Sequence, residues 1–249
     1  MRGSLAAVGI VRGGPAESSP RPFRSPAMLR TEDAITLPPP GKHTATVVWL
    51  HGLGADGNDF VSIVPELGLP RDHGVKFIFP HAAMRPVTIN NGYVMRAWYD
   101  ILSLVRLDKQ DEAGTKASAA RISGILDAER AAGIAPEKLI LAGFSQGCAM
   151  TLYTGLRYPH PLGGLIALSG YLPLHDKLAA EAHAANRATP ILMAHGSADP
   201  VVPMAMAEMS CAMLRAQGYA VEWLEYPMQH QVCFEEIERI GAFLRERTA

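Results

Sequence analysis

The chain has little of what marks secreted, membrane-spanning or nucleic-acid-binding proteins. Its 249 residues include only three cysteines, an odd number without a C-x-x-C pair, which argues against a disulfide framework and a zinc site. The formal net charge of −1 provides no strongly basic surface for nucleic acid. No run of about eighteen apolar residues occurs, so no stable membrane insertion is expected. We therefore expect a cytoplasmic protein without metal, cofactor or nucleic-acid partner.

The first 36 residues differ in composition from the rest. They hold four prolines, five arginines and only three acidic residues without hydrophobic periodicity, which predicts a disordered N-terminal extension. The apolar stretch from Leu5 to Val11 approaches the length of a signal-peptide core, but no convincing cleavage site follows it. An Arg- and Ser-rich targeting peptide is an alternative. We favour an added or start-site extension, with Met28 as the native first residue.

The remaining residues, 37–249, are expected to form a single domain in which strands and helices alternate. Hydrophobic residues make up 48% of the chain, enough for one large core. The alternation predicts a mostly parallel sheet covered by helices on both faces. The expected strands are 44–51, 75–79, 138–144, 164–169, 190–195 and 220–226. The expected helices are 58–66, 112–132, 146–157, 176–186, 203–217 and 234–247.

The most informative segment is the apolar run 139–142, which leads into the motif G-F-S-Q-G at residues 143–147. A serine on such a strand-to-helix turn stands clear of its neighbours and faces the N–H groups of the helix N-terminus, which can stabilise an oxyanion. A Cβ on either glycine would collide with this turn. The motif favours Ser145 as a nucleophile. A chance loop or helix cap is the alternative, and the presence of partner residues decides between them.

A serine nucleophile needs a base and a residue that orients the base. In the strand–turn–helix arrangement both follow the serine, the acid first and the histidine second. No acidic residue separates Ser145 from His160 or His175, which excludes these two histidines. His183 is preceded by acids only within a polar, Ala-rich helical stretch rather than at a strand end, and this pairing is therefore disfavoured.

Asp199 is better placed, because it follows the apolar run 190–195 in a short turn. His230 is then the only histidine downstream, and it follows the strand-like run 220–226. Taken separately, Asp199 is better explained as a helix N-cap or turn residue and His230 as a surface-loop histidine. Taken together, their order and strand-end placement favour catalysis. In that role His230 accepts the proton of Ser145 and returns it to the leaving group, while Asp199 fixes the imidazole tautomer.

A second oxyanion donor is expected from the loop after an early strand. Residues 44–50 read as that strand, and the glycine-rich loop 51–57 begins with the form H-G-x-G. The predicted donors are the backbone N–H groups of Leu53 and Gln146. A phosphate-binding loop is the alternative, but the G-K-[ST] ending and the G-x-G-x-x-G spacing are both missing.

Together these segments resemble one family. The chain is similar to the carboxylesterase and acyl-protein thioesterase (lysophospholipase-like) family of small α/β-hydrolases from about residue 37 to the C-terminus. The motifs that carry the resemblance are L-H-G-L-G-A-D-G-N-D-F at 50–60, R-A-W-Y-D at 96–100, A-G-F-S-Q-G at 142–147, S-G-Y-L-P at 169–173, H-G at 195–196, D-P-V-V-P at 199–203, His230 and E-E-I at 235–237.

The resemblance implies an α/β-hydrolase fold with Ser145, Asp199 and His230 as the triad and Leu53 and Gln146 as the oxyanion donors. The short gap between the strand at 164–169 and the acid leaves no room for a large cap domain. Two departures concern specificity and rate rather than mechanism. Cys148 replaces a usual glycine beside the acyl site, and Gln229 replaces a glycine that often precedes the histidine.

The stretch from Val87 to Leu107 fits neither helix nor strand. We expect part of it, with Trp98, Leu102 and Leu104, to line the acyl groove; an apolar loop packed on the core is the alternative. The predicted function is hydrolysis of short- to medium-chain carboxylic esters through an acyl-enzyme. Acyl-protein thioesterase or lysophospholipase activity is the main alternative, and a non-catalytic hydrolase-fold binding protein is a remote one. The expected partner is a small-molecule ester or acyl substrate, and the expected state is a monomer or weak homodimer.

Overall fold

The computed structural model describes residues 28–103 and 109–249, and all that follows concerns those residues. The larger of two sheets has eight strands in the order β1-β2-β4-β3-β7-β8-β9-β10, and β5 and β6 form a separate antiparallel hairpin. The strands are β1 Leu29–Arg30, β2 Ala34–Leu37, β3 Ala45–Leu50, β4 Val75–Pro80, β5 Met84–Val87, β6 Tyr93–Arg96, β7 Leu139–Phe144, β8 Gly164–Leu168, β9 Ile191–Gly196 and β10 Val221–Tyr226.

Helices follow most of the parallel strands. The α-helices are α1 Glu112–Ala131, α2 Gln146–Arg157, α3 Leu178–Glu181, α4 Met204–Ala216 and α5 Phe234–Thr248. Short 3-10 helices occupy Val61–Leu67, Thr88–Asn90, Pro136–Lys138, His175–Lys177 and Ala184–Asn186. The strands from β3 to β10 in the large sheet pair in parallel, whereas β1 and β2 pair antiparallel at one edge. This arrangement confirms the predicted fold class.

The central strands are buried on both faces because helices cover the sheet on both sides. Along β3, Val48 and Leu50 face the core beneath α1, α2 and α4, while Val47 and Trp49 face the core beneath α5 and the 3-10 helix Val61–Leu67. Side chains alternate between the two faces of a strand, so these strands must be apolar throughout rather than at every second residue. That requirement explains the continuous apolar runs that mark the strands in the sequence.

The order of strands sets the position of the site. β7, β8, β9 and β10 are consecutive neighbours in parallel register, so the turns that leave their carboxyl ends lie along one edge of the sheet. Ligands bind at this edge in open α/β sheets. No helix in the described part of the chain combines the length and apolarity that a bilayer crossing requires.

The predicted boundary of the N-terminal extension at residue 36 is wrong. Ala34–Leu37 forms β2, which pairs with β4 from Ala34 opposite Pro80 to Leu37 opposite Phe77. Ile35 is buried in the core, so burial and a complete ladder hold this short segment in place. Four residues flanked by charged and polar neighbours are too few to show the hydrophobic pattern by which a strand is recognised in a sequence. Residues 1–27 lie outside the described residues.

Two predicted helices take other forms. The segment predicted as a helix at 58–66 is the 3-10 helix Val61–Leu67, which contains Pro65 and ends at Gly68 with φ 59°. Proline has no N–H for an α-helical ladder, and a left-handed glycine ends the element. The predicted helix at 176–186 is broken into three short elements, because the backbone is extended at Ala182 and His183, and the N–H of His183 donates to Leu156 O at 2.9 Å instead of continuing the helix.

The β5–β6 hairpin was not predicted. It pairs Met84 with Arg96 and Val87 with Tyr93, within a region that fits neither class by composition. The turn between the strands contains Asn91 and Gly92, both with positive φ. An Asn-Gly pair between short extended segments is a hairpin signal, so this element was recognisable from turn chemistry.

Candidate active site

Ser145 lies on a sharp turn between β7 and α2. Its backbone has φ 56° and ψ −118°, a strained conformation for a residue with a side chain, and its N–H donates to Leu168 O at 2.9 Å. The flanking glycines make the turn sterically possible. A Cβ on Gly143 would lie 2.3 Å from Gly147 O, and one on Gly147 would lie 2.2 Å from Leu50 O. Strain of this kind persists where surrounding contacts enforce it, typically at functional sites.

His230 connects the serine to a carboxylate. Its Nε2 lies 2.9 Å from Ser145 Oγ, and its Nδ1 lies 2.6 Å from Asp199 Oδ2. The three side chains come from the turns after β7, β9 and β10. The ring of Phe144 lies 4.7 Å from the His230 ring, centroid to centroid, and limits where the imidazole can move. The structure thus brings together all three residues that the sequence predicted as a triad.

The electrostatic environment of Asp199 fixes the proton on His230. Burial of the carboxyl group would by itself raise its pKa, but hydrogen bonds from His230 and from the N–H groups of Val202 and Val201 outweigh burial and hold the pKa below its ordinary value. The ionised carboxylate can only accept. His230 Nδ1 therefore carries the proton, and the lone pair of Nε2 is directed at the hydroxyl of Ser145.

The two predicted oxyanion donors lie on the two segments that flank the serine. Gln146 is the first residue of α2, and the first N–H groups of a helix have no acceptor within that helix. Leu53 lies in the loop after β3, which approaches the serine so closely that a Cβ on Gly52 would be 3.3 Å from Ser145 Cβ. Gly54 N–H donates to Arg96 O at 2.9 Å and ties this loop to β6.

A buried histidine holds the same loop from behind. His51 Nδ1 donates to Gly52 O at 2.7 Å, and its Nε2 accepts from the N–H of Ala82 at 3.0 Å. Burial lowers the pKa of His51 to about 4, which outweighs the opposing effect of its hydrogen bond to Gly52. The ring is therefore neutral near pH 7, with one nitrogen donating and the other accepting. This role was not predicted, since the acceptor contact comes from a distant segment.

Trp98 and the side chain of Gln146 connect the loop after β6 to the nucleophile turn. The indole Nε1–H of Trp98 donates to His51 O at 2.9 Å. Gln146 Oε1 accepts from Trp98 N–H at 2.8 Å, and Gln146 Nε2 donates to Tyr99 O at 2.7 Å. Gln146 is buried, so its side chain bridges two main-chain groups that would otherwise lack these partners. The sequence predicted a role only for the backbone N–H of Gln146, as an oxyanion donor, and none for its side chain.

The three residues predicted to line an acyl groove have different surroundings. Trp98 is 1% exposed, and its N–H groups donate to Gln146 and His51. Leu102 is 42% exposed. Leu104 lies outside the described residues. Contact of Trp98 and Leu102 with substrate remains a prediction.

Among the residues that the structure describes, no group of three or more His, Cys, Asp or Glu side chains is arranged to hold a metal ion.

An eight-stranded, mostly parallel sheet, with Ser145 on the turn between β7 and α2 and with Asp199 and His230 after later strands, has the arrangement of an α/β-hydrolase. The profile of the phospholipase/carboxylesterase family matches residues 31–248. The chain belongs to that family, and the resemblance predicted from the sequence motifs is confirmed. It is a hydrolase of the esterase and thioesterase group.

Similar proteins agree with this membership. Acyl-protein thioesterase 1 of Neurospora crassa is 40% identical over 230 residues, which span 89% of this chain and 94% of that protein. Acyl-protein thioesterase 1 of Yarrowia lipolytica is 37% identical over 218 residues, which span 86% and 96%. The crystal structure of Zea mays acyl-protein thioesterase 2 has a TM-score of 0.78 at 32% identity and covers 87% of this chain and 99% of that one.

Proposed function

We propose that this protein is a serine hydrolase that cleaves S-acyl thioesters through an acyl-enzyme on Ser145. The observation that carries the proposal is the continuous chain of contacts from Ser145 Oγ to His230 at 2.9 Å and from His230 to Asp199 at 2.6 Å. This arrangement supports acyl transfer, because a nucleophile, its base and the residue that orients the base are within hydrogen-bond reach.

The reaction follows from the positions of the protons. Ser145 Oγ attacks the acyl carbonyl carbon while its proton moves to His230 Nε2, and the N–H groups of Leu53 and Gln146 donate to the oxyanion. The C–S bond then breaks, and the proton on His230 goes to the departing sulfur. In the second half, water gives a proton to His230 and attacks the acyl-Ser145 carbonyl. The proton returns to Ser145 Oγ as the carboxylic acid departs.

The names of the relatives favour thioesters over the short- to medium-chain carboxylic esters expected from the sequence. The access route is consistent with this preference. The segment that connects β8 to β9 contains only two 3-10 helices and the four-residue α3. It therefore does not form a cap domain over Ser145. An acyl chain attached to a protein could approach such a site. Hydrolysis of carboxylic esters by the same residues is the second candidate, supported by the description of the family.

A pair of matched substrates tests the choice. One peptide carries an acyl group on cysteine and the other carries the same acyl group on serine, in a series from acetyl to palmitoyl. We expect a higher kcat/KM for the thioester at every chain length, with an optimum at long chains. An equal or higher value for the oxygen ester at short chain lengths would instead favour a carboxylesterase.

Turnover also separates an enzyme from a non-catalytic binding protein of the same fold. We expect Ser145→Ala to lower kcat on the order of a million-fold if the three side chains act as a unit. A folded wild-type protein without turnover on either peptide would favour the binding protein. A small-molecule or protein-borne acyl substrate, a cytoplasmic location and a monomer or weak homodimer remain predictions; analytical ultracentrifugation measures the last of these.

A further inference from the structure

We propose that His195, which is not one of the three triad residues, is a positioning residue that holds the carboxylate of Asp199 in its working orientation. The inference rests on the proposed function, because it assigns His195 a part in the same reaction. His195 ends β9 together with Gly196, and its side chain is completely buried. It is therefore a second histidine within reach of the acid, beside the same oxygen that accepts from His230.

Two contacts define the position of the His195 ring. Nε2 lies 2.9 Å from Val202 O and 3.4 Å from Asp199 Oδ2. A carbonyl oxygen only accepts, so Nε2 must carry a proton. The same N–H therefore donates to the carbonyl of Val202 and lies beside the carboxylate of Asp199. Nδ1 has no hydrogen-bond partner in the described part of the chain.

The carboxylate of Asp199 is held by different groups at its two oxygens. Oδ1 accepts from the N–H groups of Val201 and Val202 at 2.8 and 2.9 Å. Oδ2 accepts from His230 and lies beside the N–H of His195. His195 thus fixes the Val202 carbonyl of the same turn whose N–H groups fix Oδ1. Losing that N–H frees the turn and removes a positive dipole from Oδ2.

The consequence for catalysis is geometric. A carboxylate that can turn about its Cβ–Cγ bond no longer keeps the 2.6 Å contact to His230 Nδ1, and the direction of the Nε2 lone pair toward Ser145 is lost with it. Such a displacement lowers kcat rather than substrate affinity, since no substrate contact changes. The ring of His195 lies nearly parallel to that of Trp223, with an interplanar angle of 18° and 6.5 Å between ring centroids.

A matched pair of variants isolates the donor. Gln and Met have similar length and volume, but only Gln presents an N–H at the place of His195 Nε2, and both lose the ring that packs on Trp223. We expect His195→Gln to keep kcat within about threefold of wild type, and His195→Met to lower kcat by about tenfold to a hundredfold with KM nearly unchanged. Values are expressed per active site, counted by fluorophosphonate labelling.

Three outcomes decide the matter. Equal kcat values for the two variants, at the wild-type level or equally reduced, would show that the donor has no positioning role. If Ser145→Ala loses turnover while His195→Met retains it, the positioning role fails and the proposed function stands. If Ser145→Ala retains turnover, the proposed function fails, and the role of His195 fails with it.

A measurement on the wild-type protein does not depend on how the variants fold. In a sample with 15N-labelled histidine, the two ring nitrogens report which of them is protonated. We expect the His195 resonances to show a proton on Nε2, the nitrogen that lies beside Val202 O and Asp199 Oδ2. A proton on Nδ1 alone would overturn the proposal.

Discussion

Replacing Asp199 by asparagine exchanges one carboxylate oxygen for an NH2 group. The change tests whether the acid determines which nitrogen of His230 carries the proton. The carboxylate accepts at both oxygens, from the N–H groups of Val201 and Val202 at 2.8 and 2.9 Å and from His230 Nδ1 at 2.6 Å. An amide can accept at one end only. If its oxygen faces His230, its NH2 group opposes two N–H donors; if its NH2 group faces His230, the imidazole must move its proton to Nε2.

The second orientation keeps more hydrogen bonds, so we expect it to dominate. A proton on His230 Nε2 leaves no lone pair for the hydroxyl of Ser145, and proton transfer in the attack step is lost. The loss from the corresponding substitution in a well-studied serine protease is about ten-thousand-fold in kcat, and we expect a similar effect here. This factor corresponds to about 5.4 kcal/mol in the activation free energy.

The assay is steady-state hydrolysis of a p-nitrophenyl ester by Asp199→Asn and by wild type, with folded protein confirmed by thermal melting. Asp176→Asn serves as the control, because Asp176 is exposed and belongs to a turn between β8 and β9. It should retain wild-type kcat. A kcat for Asp199→Asn within tenfold of wild type would refute the assignment of the tautomer and of the acid.

Three further predictions concern the support of the site. Gln146→Leu removes the partner of two buried main-chain groups, and should destabilise the protein by about 1–3 kcal/mol in urea unfolding and lower kcat; unchanged stability would contradict the bridge. Gly147→Ala places a Cβ 2.2 Å from Leu50 O and should cost at least about 1–3 kcal/mol, whereas a wild-type urea midpoint would contradict the close packing. Burial raises the pKa of Glu236 from 4.5 to about 8, so the folded protein retains a proton that the unfolded chain releases, and stability should fall as pH rises between these values. Thermal melts of Glu236→Gln should show a weaker dependence over this range; an identical profile would contradict the buried acid.

The parts of the fold that the sequence predicts are those in which local pattern and tertiary role agree. β7 and β9 are continuous apolar runs because both faces are covered, and that requirement is visible in the residues themselves. β2 is not visible, because four residues become a strand only through pairing with β4. His183 illustrates the opposite effect, since its N–H bonds to the distant Leu156 O and its extended backbone interrupts a helix that composition favours.

The residues of the site likewise fall into those that the sequence predicts and those that it does not. The spacing of the motif, the order of the residues and the ends of the predicted strands were enough to select Ser145, Asp199 and His230, which the structure brings into contact. The supporting residues could not be selected, because His195 reaches its acceptor only after the turn to Val202 has folded. His51 likewise depends on the N–H of Ala82, which is brought close by the parallel pairing of β3 and β4.

The most direct test of the central claim is detection of the acyl-enzyme. Wild-type protein is mixed with an S-palmitoyl peptide, quenched in acid within milliseconds, digested and examined by mass spectrometry. The account predicts a palmitoyl mass on the peptide that contains Ser145, absent from Ser145→Ala and accumulating in a burst if deacylation is slow. Turnover of the substrate by wild type, together with a quenched sample that never carries the acyl group at Ser145 and a Ser145→Ala protein that still hydrolyses it, would contradict the claim.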